Sequence, residues 1–287
     1  MRTDDYFVSA PTGDSRTGHG WTARLELEYG RRVERTVLIR NHHRGPLSVQ
    51  KPLYPEGEVC HTYLLHPPAG VVGGDILDIK IVAGKGSRVL VTTPGATRFY
   101  RSLGTKALQK QQLTVGEDAE LEWFPQDSII FPGSHALINT RVDLATSARF
   151  IGWEVLCLGL PVNNQRFVSG SLQSALTLYR NEVPVFLDRL MVRDKRDLDS
   201  CVGLRGFPVV ATFVATCEHK ELLPLLREQQ SQEPGSLYGV TLIDGLIVAR
   251  YLGFSTFSAR ALLTELWKIL RPSVMGREVC LPRIWKT

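Results

Sequence analysis

The sequence predicts a mainly β protein whose helices come late in the chain. Three observations carry that expectation. Apolar and polar residues alternate at period two through most of the 287 residues, as in strands with one buried face. Only two stretches, both beyond residue 215, carry apolar residues at helical spacing. So few helices argue against a doubly wound α/β fold, whose parallel strands are joined by helical crossovers. No fixed-period repeat is visible, so periodicity by itself gives no solenoid.

The elements follow in order. Residues 1–20, with their Gly, Thr and Ser, read as a flexible tail, and no apolar stretch there suggests a signal peptide. In 75–82, Leu77, Ile79 and Ile81 face one way and Asp78 and Lys80 the other. Val89, Val91 and Thr93 continue the pattern, and Leu121 and Trp123 alternate with Glu120 and Glu122. Leu172, Leu176 and Leu178 alternate with Gln173 and Thr177, and Val209, Ala211 and Phe213 line one face of a further strand. Asp244-Gly245 stands between two apolar runs and suits a tight hairpin turn, where both central residues take positive φ.

In 219–230, Leu222, Leu223, Leu225 and Leu226 have helical spacing, with Pro224 admissible only in a first turn. In 258–270, Leu262, Leu266 and Ile269 form one stripe and Leu263, Trp267 and Leu270 a second beside it. That wide apolar face predicts a buried helix, with Ser258 as N-cap and Pro272 beyond its end. No linker divides residues 21–287, which read as a single domain.

Apolar residues make up 43% of the chain and charged residues 22%, enough to bury a core. No run approaches the roughly 18 apolar residues of a membrane helix. Five cysteines without a CxxC pair, and no export signal, read as free thiols in a reducing cytoplasm. The net charge of +5 is mild, and the alternating signs of 193–197 suit a solvated loop rather than a nucleic-acid groove.

Two motifs are dense in turn residues. In the first, His66-Pro67-Pro68-Ala69-Gly70-Val71-Val72-Gly73-Gly74-Asp75, the prolines fix an extended entry and Gly73-Gly74 permits a sharp turn. The second is Thr92-Thr93-Pro94-Gly95-Ala96-Thr97-Arg98-Phe99-Tyr100-Arg101-Ser102, where Pro94-Gly95 fits a type II turn. Gly84-Lys85-Gly86-Ser87 reads as a hairpin turn, and no GxxxxGK[ST] phosphate loop is present. His42, His43, Cys60, His61, His66, Asp75 and Cys157 are candidate metal ligands by type, but their spacing matches no closed zinc pattern. There is no GxSxG elbow and no HExxH helix. The residues thus point to no enzyme class.

Taken together, the two motifs resemble the signature of the UreD (UreH) urease accessory family. The resemblance continues through Gly20-Trp21-Thr22-Ala23, the segments 45–57, 121–126, 150–154 and 249–253, and Pro282-Arg283-Ile284-Trp285. It implies an elongated, layered, β-helix-like arrangement of strands with two α-helices in the C-terminal half. It also implies a non-catalytic chaperone or scaffold that works with UreF and the GTPase UreG on apo-urease subunits. Such a protein holds no stable cofactor and assists GTP-dependent insertion of nickel(II), which passes along an internal path. A passive adaptor that only docks UreF and UreG is the alternative. Two departures stand out: Ala69 replaces a usual Gly, and 161–165 lacks a glutamate often found there.

Under that resemblance, Asp75 is a candidate transient nickel contact, followed by His66 and Glu154. Nickel(II) accepts imidazole and oxygen ligands, and a conducting path must bind weakly at several points. Asp75 follows two glycines whose bare backbone lets an ion approach. Glu154 lies in the otherwise apolar run 150–160, where a carboxylate is costly without a partner. The competing role for Asp75 is to hydrogen-bond its own turn.

Overall fold

The computed structural model describes residues 20–286. The tail expected at 1–20 lies outside them, apart from Gly20. The chain opens with a hairpin of β1 (Thr22–Arg31) and β2 (Thr36–Arg44), and β3 (Ser48–Val49) leads into the coiled part. There the chain winds through three strands per coil. The first coil is β4 (Cys60–Leu65), β5 (Gly70–Val71) and β6 (Ile76–Ala83). The second is β7 (Arg88–Thr92), β8 (Thr97–Phe99) and β9 (Ala107–Val115). The third is β10 (Glu120–Phe124), β11 (Ser128–Ile130) and β12 (His135–Leu144). In the fourth, β13 (Arg149–Leu160) serves two faces in turn before β14 (Gln165–Arg166) and β15 (Ser171–Arg180).

Each strand pairs in parallel with its counterpart in the next coil. Cys60 is opposite Val89, Val89 opposite Leu121 and Leu121 opposite Phe150, steps of 29, 32 and 29 residues. The parallel pairs need no helical crossovers because consecutive strands of the chain belong to different faces. Antiparallel strands finish the stack: β16 (Val183–Val192), β17 (Val209–Thr216), β18 (Leu237–Ile243) and β19 (Leu246–Gly253). The result is a seven-stranded sheet, β16-β15-β12-β9-β6-β1-β2, facing a twelve-stranded one whose main path is β18-β19-β17-β13-β10-β7-β4-β3. The layered β expectation is therefore met.

Period-two alternation decides which side chains enter the space between the sheets. Leu77, Ile79 and Ile81 of β6 meet Val89, Val91, Leu121 and Phe150 there, all at most 5% exposed. A second apolar layer lies on the outer side of the twelve-stranded sheet, where α3 (Thr256–Met275) covers Ile151, Trp153, Phe213 and Ala249 with Leu262, Leu263, Leu266, Trp267 and Leu270. Burying one such leucine contributes about 2 kcal/mol. Two short helices, α1 (Lys195–Asp199) and α2 (Leu223–Glu228), precede it. Among the described residues no helix is long and apolar enough to cross a membrane.

Several local expectations need correction. Ser255, not Ser258, is the N-cap of α3: its hydroxyl accepts the Ser258 N–H. Pro272 lies inside the helix, which runs on to Met275 and stops at Gly276 with φ +65°. The solvated loop at 193–197 contains the start of α1, capped by the Asp194 carboxylate on the Arg196 N–H. The helix expected over 219–230 is confined to Leu223–Glu228 behind a 3-10 turn, with Pro224 in its first turn. Gly84–Ser87 is not a hairpin: it turns the chain from one sheet to the other, and Ser87 N–H donates to Gly84 O. Gly95 does not have the positive φ of a type II turn. Asp244 and Gly245, at φ +47° and +74°, do make the expected hairpin turn.

Candidate functional site

The turns marked by the two motifs stack at one corner of the coil. Residues 66–69 join β4 to β5, residues 93–96 join β7 to β8, and residues 125–127 repeat the connection one coil later. The corner encloses a cavity of about 310 Å³, closed on its far side by the inner faces of β6, β9, β12 and β15. Leu47, Leu64, Leu77, Ile79, Trp123 and Trp153 make its walls mainly apolar. His66, Gln109, Gln111, Ser128, Thr140 and Glu154 are among its polar groups, with Thr93, Thr97 and Gln126 at the corner turns.

Gln109 and Gln111 occupy inward positions of β9 and are each 5% exposed. The Thr140 hydroxyl donates to Gln111 Oε1 at 2.6 Å. Gln109 Oε1 and both ring nitrogens of His66 have no hydrogen-bond partner. A buried carbonyl or imidazole without a partner is costly unless something mobile and polar visits it. The His66 ring lies against Trp21 with centroids 5.6 Å apart. Burial pulls its pKa below the ordinary histidine value, and the Asp75 charge only partly opposes this, so the ring is neutral at pH 7.

Glu154 stands at the inner end of this cavity and also lines a second, of about 240 Å³, between β13, β15, β16, β17 and β19. Glu154 and Leu176 are the two residues common to both linings. The Ser174 hydroxyl donates to Glu154 Oε2 at 2.8 Å. Burial pushes the Glu154 carboxyl up to about 7; the Ser174 hydrogen bond opposes the shift and the Asp188 charge adds to it. Across the second cavity, Asp188 Oδ2 accepts from the Thr212 hydroxyl at 3.1 Å and from Arg250 Nη1 at 2.9 Å. The Arg250 side chain is 53% exposed, which carries this cavity's rim to the surface.

Asp75 stands apart. It is 1% exposed and lines neither cavity. Its Oδ1 accepts the Trp21 N–H at 3.0 Å and its Oδ2 the Val72 N–H at 2.9 Å. Gly74, at φ +93°, makes the turn that places it there. The carboxylate thus ties the 72–75 corner to the start of β1, the turn role the sequence also allowed. Of the three candidate contacts, the structure brings His66 and Glu154 to one cavity and leaves Asp75 outside it.

The other candidate ligands do not assemble either. His42 and His43 lie exposed on the edge strand β2, and His61 Nε2 is 2.6 Å from Glu56 Oε1. Among the described residues no three His, Cys, Asp or Glu side chains are grouped to hold a metal. Sequence reading missed Gln109, Gln111, Thr140, Ser174, Asp188 and Arg250. For the glutamines a signal existed: β9 carries polar residues on both of its alternating faces, unlike β6.

A family model described as "UreD urease accessory protein" matches residues 22–286. The urease accessory protein UreD of Alcanivorax borkumensis is 44% identical over 274 residues, covering 93% of each chain. That of Dechloromonas aromatica is 43% identical over 285 residues, covering 96% of this chain and 98% of the relative. That of Klebsiella pneumoniae is 41% identical over 269 residues, covering 93% and 96%.

Proposed function

The chain belongs to the UreD urease accessory protein family, and we propose from that premise that it is a cytoplasmic scaffold that passes nickel(II) to apo-urease along an internal path. The role in urease maturation rests on the family. The observation that supports a path is the pair of cavities meeting at Glu154 and Leu176, one behind the signature motifs and one reaching the surface beside Arg250.

His66 and Glu154 are the proposed contacts. A lone imidazole and a lone carboxylate bind a divalent ion weakly and release it, whereas a closed ligand set would retain it. Asp75 has both oxygens committed to backbone N–H groups, so the geometry lends its nickel role no support. UreF and the GTPase UreG are the proposed partners. GTP hydrolysis falls to the partner because this sequence has no phosphate loop. The chain itself catalyses no reaction and keeps no stable cofactor.

A passive adaptor would need neither cavity. The two readings separate in cells that lack this gene but make urease and take up nickel. There the wild-type chain restores nickel to urease. A chain carrying His66→Ala and Glu154→Gln assembles with its partners yet leaves urease nickel-poor at limiting nickel. Full restoration by that double variant would select the adaptor.

A further inference from the structure

We propose that between the contacts at His66 and Glu154 the ion crosses the first cavity with its water shell intact, held there by hydrogen bonds from its bound waters rather than by direct bonds to the protein. This rests on the reading that the cavities form the path.

The first argument is the lining. Between the corner turns and Glu154, the polar groups near the centre are amides and hydroxyls: Gln109, Gln111, Ser128 and Thr140. None carries charge. A divalent ion stripped of water in an apolar chamber would have to be repaid by several carboxylates or thiolates. Glu154 is the one carboxylate in the lining. Neutral amide oxygens are instead good acceptors for metal-bound water, a strong hydrogen-bond donor.

The second argument is room. A six-coordinate aqua ion needs space for six waters, about 180 Å³ at roughly 30 Å³ each. The two cavities, of about 310 and 240 Å³, both exceed that. The third argument is the orphan acceptor. Gln109 lines this chamber and its Oε1 has no protein partner, although Gln111 beside it is occupied by Thr140. An acceptor kept free in a 95%-buried side chain suits a passing donor.

The inference separates transport from stability at one residue. Gln109→Leu removes a buried carbonyl that has no partner, so the fold keeps or gains stability. Nickel delivery to apo-urease, measured in the reconstituted complex, should slow about tenfold, the size of outer-shell effects at metal sites. The decisive probe is hexaamminecobalt(III), an inert ion of similar size whose ligands donate hydrogen bonds and do not exchange. It should inhibit delivery by the wild-type complex and shift the Gln109 side-chain amide resonance.

Unchanged delivery by a folded Gln109→Leu chain overturns the proposal. So does hexaamminecobalt(III) that neither inhibits nor shifts that resonance. Leu176→Trp, which fills the wall common to both cavities, tests the path itself. If it stops delivery while the inert ion has no effect, the water-shell proposal alone fails. If a folded Leu176→Trp chain delivers normally, the path reading fails with it.

Discussion

Arg271 and Glu122 meet through two parallel hydrogen bonds, Nε to Oε1 and Nη2 to Oε2, each 2.9 Å, with the side chains 0% and 1% exposed. The same guanidinium reaches both oxygens of Glu56, at 2.7 and 2.8 Å, and the backbone oxygen of Glu278. Trp267 Nε1 adds a bond to Glu122 at 2.7 Å. One arginine of α3 thus ties the helix to β10, to the segment before β4 and to the C-terminal residues. Burial by itself would raise the Glu56 pKa, but the bonds from His61 and Arg271 more than offset it, down to about 2.

Replacing Arg271 by Met leaves two carboxylates beneath the helix without a counter-charge. Removing one partner of a buried pair costs about 3–5 kcal/mol. The melting temperature should fall by roughly 10 °C, at about 2–4 °C per kcal/mol for a chain of this size. Adding Glu122→Gln should restore part of the loss, because one stranded charge is gone. A loss below about 1 kcal/mol in denaturant unfolding would mean that solvent or a rearranged helix compensates the charges.

How much of this was legible follows from the same residues. Alternation gave the strands, because each has a buried and a less buried face. It misjudged β10. Glu120 and Glu122 read as solvent-facing, yet both are 1% exposed because α3 and the C-terminal segment lie over that face. Nothing local in a strand shows that a helix more than 130 residues later will cover it. The coil period was hidden for a related reason. Its stacked corners, Gly84–Ser87, Gly116–Ala119 and Ala145–Ala148, each close with a backbone bond from fourth to first residue, but they share little beyond small end residues. The cavity was partly legible, since its mouth is built from the two motifs. Its floor joins residues from four coils, a juxtaposition fixed only by the register.

Ala69 tests the strain at that mouth. It has φ +54°, a left-handed conformation that costs an L-residue about 1–2 kcal/mol, and it closes the 66–69 turn by donating its N–H to His66 O at 2.8 Å. Ala69→Gly should raise stability by about 0.5–1 kcal/mol, the strain relieved less the extra freedom of the unfolded chain. Ala69→Val should lower it. Thermal unfolding of the three chains side by side gives the order, and a glycine variant weaker than wild type would contradict it.

Glu154 makes stability depend on pH in a direction opposite to most carboxylates. Its pKa rises from the ordinary 4.5 to about 7 on folding. The main cause is burial among the core side chains; the Ser174 hydroxyl bond opposes it, and repulsion from Asp188 across the second cavity adds a smaller upward push. Between those two values the folded chain holds a proton that the unfolded chain has released. Stability therefore falls as pH climbs through this window and is lowest above 7, where both states are ionised. The full loss is about 3 kcal/mol at roughly 1.4 kcal/mol per pKa unit, an upper figure because water in the cavities softens the burial. Glu154→Gln keeps the size of the side chain and an acceptor for Ser174 but cannot ionise. The variant should match wild type near pH 4.5 and exceed it by about 2–3 kcal/mol at pH 8. Other groups titrate as well, so the quantity to measure is the difference between the two chains, from denaturant unfolding at several pH values. A difference that stays flat from pH 5 to 8 would mean that Glu154 ionises normally in the folded chain, its charge met by water filling both cavities.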